Sequence, residues 1–151
     1  MSSRLLQCSR AIREGIDRAV VGREDLKRLL IVGLLAGGHV LMEGLPGTGK
    51  TSFAHGLANM LDAPAYEIAK GEGNESKDRR TAIAACLGMT NGGGGSLVIV
   101  DEADNILNTN SAWFARGETQ DKGWLNHLLD EPNNRMIWIT NDIEGIEKSV
   151  L

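Results

Sequence analysis

Hydrophobic and polar positions change their period several times along this chain, and each period predicts an element. Leu5, Cys8, Ile12, Ile16 and Ala19 recur at helical spacing with arginines elsewhere, which predicts a leading helix over 1–19 that starts near residue 3. Val20-Val21-Gly22-Arg23-Glu24 interrupts it. A second helix is expected over 24–36, with Leu26, Leu29, Leu30 and Leu34 on one face and Ile31, Val32 and Leu35 on another, so it should be deeply buried. Gly37-Gly38 ends it. His39-Val40-Leu41-Met42-Glu43 is a short strand-like run, and Phe53, Leu57, Met60 and Leu61 then form one face of a third helix. Asp62-Ala63-Pro64 stops that helix, and 65–69 reads as another short strand. The polar stretch 70–75 is a loop, and 76–87 returns to helical spacing with Ile83, Cys86 and Leu87 inward. The glycines of 91–95 make a flexible connection without chemistry of its own.

Leu97-Val98-Ile99-Val100 is short, continuously apolar and β-branched, as a parallel strand covered on both faces should be. Residues 135–140 read the same way, and between the two runs Trp124, Leu125, Leu128 and Leu129 stripe a helix over 123–131. Strands alternating with helices imply a mostly parallel sheet between two helical layers, an α/β/α sandwich. Ligands in such sheets bind beyond the carboxyl ends of the strands.

The 151 residues suit one domain with a sizeable core, and the net charge of −4 speaks against wholesale nucleic-acid binding. No apolar run reaches the roughly 20 residues that a membrane span needs. The beginning of the chain has no apolar stretch of signal-peptide length, and Cys8 and Cys86 match no metal or redox spacing. The expectation is a reduced cytoplasmic protein. His39, His55 and His127 show no ligand spacing and are expected to be structural or surface residues.

The strand at 39–43 runs into Gly44-Leu45-Pro46-Gly47-Thr48-Gly49-Lys50-Thr51, which fits the phosphate-binding pattern at every defined position. A loop that binds a triphosphate must turn its N–H groups inward around dense negative charge. Gly44, Gly47 and Gly49 are expected to allow this by tolerating positive φ. The helix behind the loop aims its positive end at the same oxygens. Lys50 would reach the β- and γ-phosphates, and the Thr51 hydroxyl would hold a magnesium ion. Asp101 and Glu102 end the buried strand 97–100, a costly place for two acids without partners or a task. Asp101 would hold the same magnesium, and Glu102 would polarise the water attacking the γ-phosphate. Asn141, after the strand 135–140, could hydrogen-bond phosphate or water, or serve as a cap or turn residue.

In that order, together with Leu128-Leu129-Asp130-Glu131-Pro132 and Ile137-Trp138-Ile139-Thr140-Asn141, these parts resemble an AAA+ ATPase, a P-loop NTPase, from about Val20 to the last residue. Residues 34–44 look like the MoxR-type branch, and 73–80 look like the helix after the second strand in AAA proper. The resemblance implies a nucleotide-binding core over 20–151. Gly44 to Thr51 would be Walker A, Asp101 and Glu102 Walker B with Glu102 the catalytic base, and Asn141 sensor 1. Val20, Val21 and Gly22 would lie beside adenine. It implies ATP and Mg2+ as ligands, self-association in a hexameric ring, and a protein partner to be remodelled.

The chain departs from this family at two points. Members carry an arginine finger, a fifth strand and a helical lid beyond the position where this sequence stops, so a fragment, or a protein completed by another chain, is expected. Arg79, Arg80, Arg116 and Arg135 are candidate substitute cations, each expected to be a solvated surface residue. Threading members also place an aromatic residue where this chain has Lys70-Gly71-Glu72-Gly73. Trp113-Phe114 offers another gripping or partner surface, or a small cluster under a loop. Two alternatives to a remodelling ATPase follow: a nucleotide-gated binding module with little hydrolysis, and a DNA-directed helper.

Overall fold

The computed structural model describes residues 6–7, 10–11, 13–15, 17, 24–71, 76–90, 95–107, 122–131, 135–144 and 146. The described positions before residue 20 are helical. The elements that follow are α1 (Glu24–Leu35), β1 (Val40–Glu43), α2 (Lys50–Met60), β2 (Ala65–Ile68), α3 (Ser76–Thr90), β3 (Leu97–Val100), α4 (Asp104–Leu107), α5 (Lys122–Asp130) and β4 (Met136–Thr140). The four strands pair in parallel in the order β1-β4-β3-β2.

Both central strands are buried along their whole length, as their unbroken apolar runs require. Their side chains alternate between two cores. Leu97, Ile99, Ile137 and Ile139 pack with Leu30 of α1 and with Ala54, Leu57 and Ala58 of α2. Val98, Val100, Met136 and Trp138 pack on the other face, against Ile83, Cys86 and Leu87 of α3, Ile106 and Leu107 of α4, and Leu125 and Leu128 of α5. The result is the three-layer α/β/α sandwich. Each such aliphatic side chain contributes about 1.5–3 kcal/mol when fully withdrawn from water.

Two expectations are corrected. α1 is not buried all round: Leu30 packs inward, but Leu29 and Val32 are 70% and 63% exposed. The helix lies over β1, an outer strand, so only one of its faces meets the sheet. The helix α4 falls at the start of a stretch for which no element was expected. A four-residue helix is about one turn, too short to display a 3.6-residue period, yet it buries Ile106 and Leu107. Elsewhere α3 runs to Thr90, three residues past its expected end.

Register brings the strand ends together. Glu43 lies opposite Thr140, and Val100 lies opposite Trp138. The segments leaving β1, β3 and β4 therefore emerge side by side at one edge. The Gly44 N–H donates to the Thr140 carbonyl (3.3 Å), and the Ala103 N–H donates to the Ile139 carbonyl (2.7 Å), closing both exits onto β4.

Candidate functional site

The glycine-rich loop is shaped by φ at two positions. Gly47 (φ 76°) and Gly49 (φ 82°) are left-handed, where a β-carbon is disfavoured. Gly44 is not among the left-handed residues, which corrects the expectation for it. A β-carbon at Gly44 would stand 3.6 Å from Lys50 Cδ and 3.4 Å from Thr48 Oγ1, in ordinary van der Waals contact with both. Gly49 is the N-cap of α2, and no side chain caps the helix. No acid stands in its first turn either, so the positive end of an eleven-residue helix opens toward the loop.

Thr48 Oγ1 donates to the Leu45 carbonyl (2.8 Å) and braces the loop from within. Lys50 Nζ folds back on the loop, donating to the carbonyls of Gly44 (2.5 Å) and Leu45 (2.9 Å) and to Asn141 Oδ1 (3.3 Å). A cavity of about 370 Å³ lies in front, lined by residues 46–52 with Asp101, Glu102 and Asn141. Gly44 and Leu45 contribute carbonyls to the lysine rather than surface to the cavity, and the Leu45 side chain is exposed.

The acid pair faces the loop across this cavity. Thr51 Oγ1 donates to Asp101 Oδ2 (2.8 Å), joining α2 to the end of β3. Asp101 Oδ1 accepts from the Glu102 N–H (2.8 Å), and Glu102 is left-handed at φ 45°. The Glu102 side chain is exposed, with Lys70 Nζ 3.9 Å from Oε2. Beneath the pair lies a side chain that sequence reasoning placed at the surface. Arg79 is 1% exposed. Its Nη1 donates to the Glu102 carbonyl (2.8 Å) and Asn105 Oδ1 (2.6 Å), and its Nη2 to the carbonyls of Asp101 and of Ile68. Burial pulls the guanidinium pKa below its ordinary value, against the opposing pull of Glu102, Asp101 and Asp104. A sequence signal existed: Arg79 stands four residues before Ile83 and so occupies the apolar stripe of α3.

Asp104, for which no role was expected, also joins the site. Its Oδ1 accepts from Thr140 Oγ1 (2.6 Å) and from the N–H groups of Asn141 (3.0 Å) and Asp142 (3.2 Å), so it holds the turn from which Asn141 projects. Burial raises its pKa, but the Thr140 hydroxyl and the N–H donors outweigh this and leave it below the ordinary value. A carboxyl depressed on folding stabilises the protein above its unfolded pKa, and that contribution fades as pH falls through the folded value. Asp104→Ala is therefore expected to cost about 1–3 kcal/mol at pH 7, with the gap to the parent narrowing below about pH 4. Urea titrations at several pH values measure this.

Other expected positions fall variously. Val20, Val21, Gly22, Trp113, Phe114 and Arg116 lie outside the described residues. Arg80 is not simply solvated, since its guanidinium lies 5.3 Å from the ring centroid of Trp124, whereas Arg135 is exposed. His39 packs beside Trp138 at 6.5 Å between rings, and burial lowers its pKa. His55 pairs with Glu67 at 2.6 Å, and His127 lies 3.8 Å from Glu131. Among the described residues no helix is long and apolar enough to cross a membrane.

A parallel sheet with a glycine-rich loop between β1 and α2, faced by acids leaving β3, defines an α/β P-loop NTPase fold. The family model of the ATPase family associated with various cellular activities (AAA) matches residues 40–151, and the chain belongs to that family. It is 41% identical over 108 residues to the replication factor C large subunit of Haloarcula marismortui, across 68% of this chain and 20% of that protein. It is 52% identical over 52 residues to the chaperone MoxR1 of Mycobacterium tuberculosis, across 34% of this chain and 14% of that protein. With the ATP-dependent zinc metalloprotease FtsH of Trieres chinensis it shares 30% identity over 129 residues, 78% of this chain and 20% of that protein. The matched stretch is thus about a fifth of the replication and protease relatives.

Proposed function

We propose that the chain binds ATP in the cavity between the glycine-rich loop and the acid pair and hydrolyses it. The observation that carries this reading is the convergence of Lys50, the Thr51–Asp101 pair, Glu102 and Asn141 in front of the uncapped end of α2. Main-chain N–H groups of 47–51 receive the phosphates, and Lys50 exchanges its loop carbonyls for phosphate oxygens. By the resemblance to AAA+ ATPases, Val20, Val21 and Gly22 would contact the adenine.

A hydroxyl and a carboxylate already in contact suit magnesium, which takes few protein ligands and keeps several waters. Thr51 and Asp101 would hold the ion, which neutralises phosphate charge when bound. Glu102 accepts the proton of the attacking water, and Asn141, within reach of Lys50, orients water or phosphate. The exposed Glu102 carboxylate is free to meet a water in the cavity mouth. An arginine from a second copy completes charge stabilisation in an oligomer that remodels a protein partner.

Steady-state phosphate release by the chain, with magnesium and with excess EDTA, tests hydrolysis. Turnover that disappears with EDTA supports it. ATP binding without turnover favours a nucleotide-gated binding module. A second reading, a DNA-directed helper, is favoured by the similarity to a protein named replication factor C large subunit. The net charge of −4 opposes it. DNA affinity that falls steeply with salt would support it.

A further inference from the structure

Two backbone features at the end of β3 need an explanation that the phosphate chemistry does not supply. Glu102 holds a left-handed φ of 45°, a conformation that a residue with a β-carbon adopts only when its surroundings hold it there. Three main-chain carbonyls, that of Ile68 at the end of β2 and those of the adjacent Asp101 and Glu102, also converge on one guanidinium. Asp101 follows a strand whose ladder has just ended. Its carbonyl and that of Glu102 have turned from the sheet toward α3, where water has no access to Arg79.

We infer that Arg79 is a positioning residue for the acid pair: its buried planar fork holds the turn at Asp101 and Glu102 so that the Glu102 carboxylate faces the cavity. The inference rests on the proposed role of Glu102 in hydrolysis. The Glu102 residue is gripped at both ends, its N–H by Asp101 Oδ1 and its carbonyl by Arg79 Nη1. Release of the carbonyl end lets φ relax to the ordinary right-handed or extended regions, and rotation there swings the side chain away from its direction over the cavity. The same guanidinium ties α4 through Asn105 Oδ1 and β2 through the Ile68 carbonyl, so the turn is referenced to three elements rather than to one. Its charge lies under the Asp101, Glu102 and Asp104 carboxylates and offsets their mutual repulsion. A lysine keeps that charge but lacks the fork, because a single ammonium does not span four acceptors with planar geometry.

The test uses the full chain with Arg79→Met and Arg79→Lys. Hydrogen exchange of the Glu102 and Ala103 amides, followed by NMR, reads the turn, and the Val98, Ile99 and Val100 amides serve as internal controls. Exchange at Glu102 and Ala103 should accelerate by about tenfold or more in Arg79→Met, with the β3 amides unchanged. Turnover should fall by about ten- to a hundredfold with KM for ATP within about twofold, and Arg79→Lys should lie between Arg79→Met and the parent. Unchanged exchange at Glu102, or equal acceleration along all of β3, overturns the inference, as does a KM that rises in step with the loss of turnover. Should Arg79→Met fail to fold, the exchange pattern of Arg79→Lys decides by the same criteria. Should the parent show no turnover, the hydrolysis reading fails, and the exchange comparison still decides whether Arg79 holds the turn.

Discussion

Lys50→Ala is expected to weaken ATP binding by about a hundredfold or more, since an ammonium contributes roughly 1.5–3 kcal/mol for each charged partner it loses. In the structure Lys50 Nζ is already poised in the loop, held by the Gly44 and Leu45 carbonyls and by Asn141 Oδ1. These are weak competitors for a polyanion. Carbonyl and amide oxygens carry partial charge, whereas phosphate oxygens bear full charges, and the loop is open enough for water to replace the lysine at the carbonyls. The same openness predicts a small structural effect. The lysine touches neither core, so the melting temperature should move by only a few degrees. Calorimetric titration with ATP, paired with a thermal melt, checks both halves. Unchanged ATP affinity would remove the loop from the site altogether.

The second large effect concerns chemistry rather than affinity. Glu102→Gln should lower turnover by about 10²–10⁴-fold and leave ATP affinity within a few-fold of the parent. The amide is nearly isosteric with the carboxylate, and the main-chain bonds at this residue, to Asp101 Oδ1 and from Arg79, do not involve the side chain that changes. What is lost is proton acceptance and the exposed charge that faces Lys70 at 3.9 Å. Single-turnover phosphate release and nucleotide affinity, measured on the same preparation, separate the two quantities. A variant that turns over as fast as the parent would show that Glu102 is not the base, and residual hydrolysis would then have another origin. Equal loss of binding and turnover would instead point to a disturbed Asp101, because that residue bonds both Thr51 and the Glu102 N–H.

The stretches that make up the candidate site were unevenly legible along the chain. The loop from Gly44 to Thr51 is contiguous, and its restraints are local: positive φ at Gly47 and Gly49, and a helix that begins at Lys50. The acids at 101–102 stood out because they end an apolar run. Asn141 was ambiguous from residues alone, since an amide after a strand serves turns as readily as ligands, and its contact with Lys50 spans 91 positions. Arg79 was misjudged for a related reason. Arginine is mostly a surface residue, and composition offers no sign that four acceptors from β2, the β3 exit and α4 will meet it in the interior. The face of α1 was misread because a count of apolar positions does not reveal whether a helix will have one neighbour or two.

Periodicity and local turn chemistry, which act over a few residues, were enough to establish alternating strands and helices, a glycine-rich loop before α2, and acids at the end of β3. Neighbourhood across the sheet was a different matter. The insertion of β4 between β1 and β3 brings Asn141 to Lys50 and Asp104 to Thr140, and the packing of α3 under the β3 exit buries a charged fork beneath the acid pair. Such contacts join residues tens of positions apart, and they form only once the elements that carry them have packed together. Only the folded arrangement decides them.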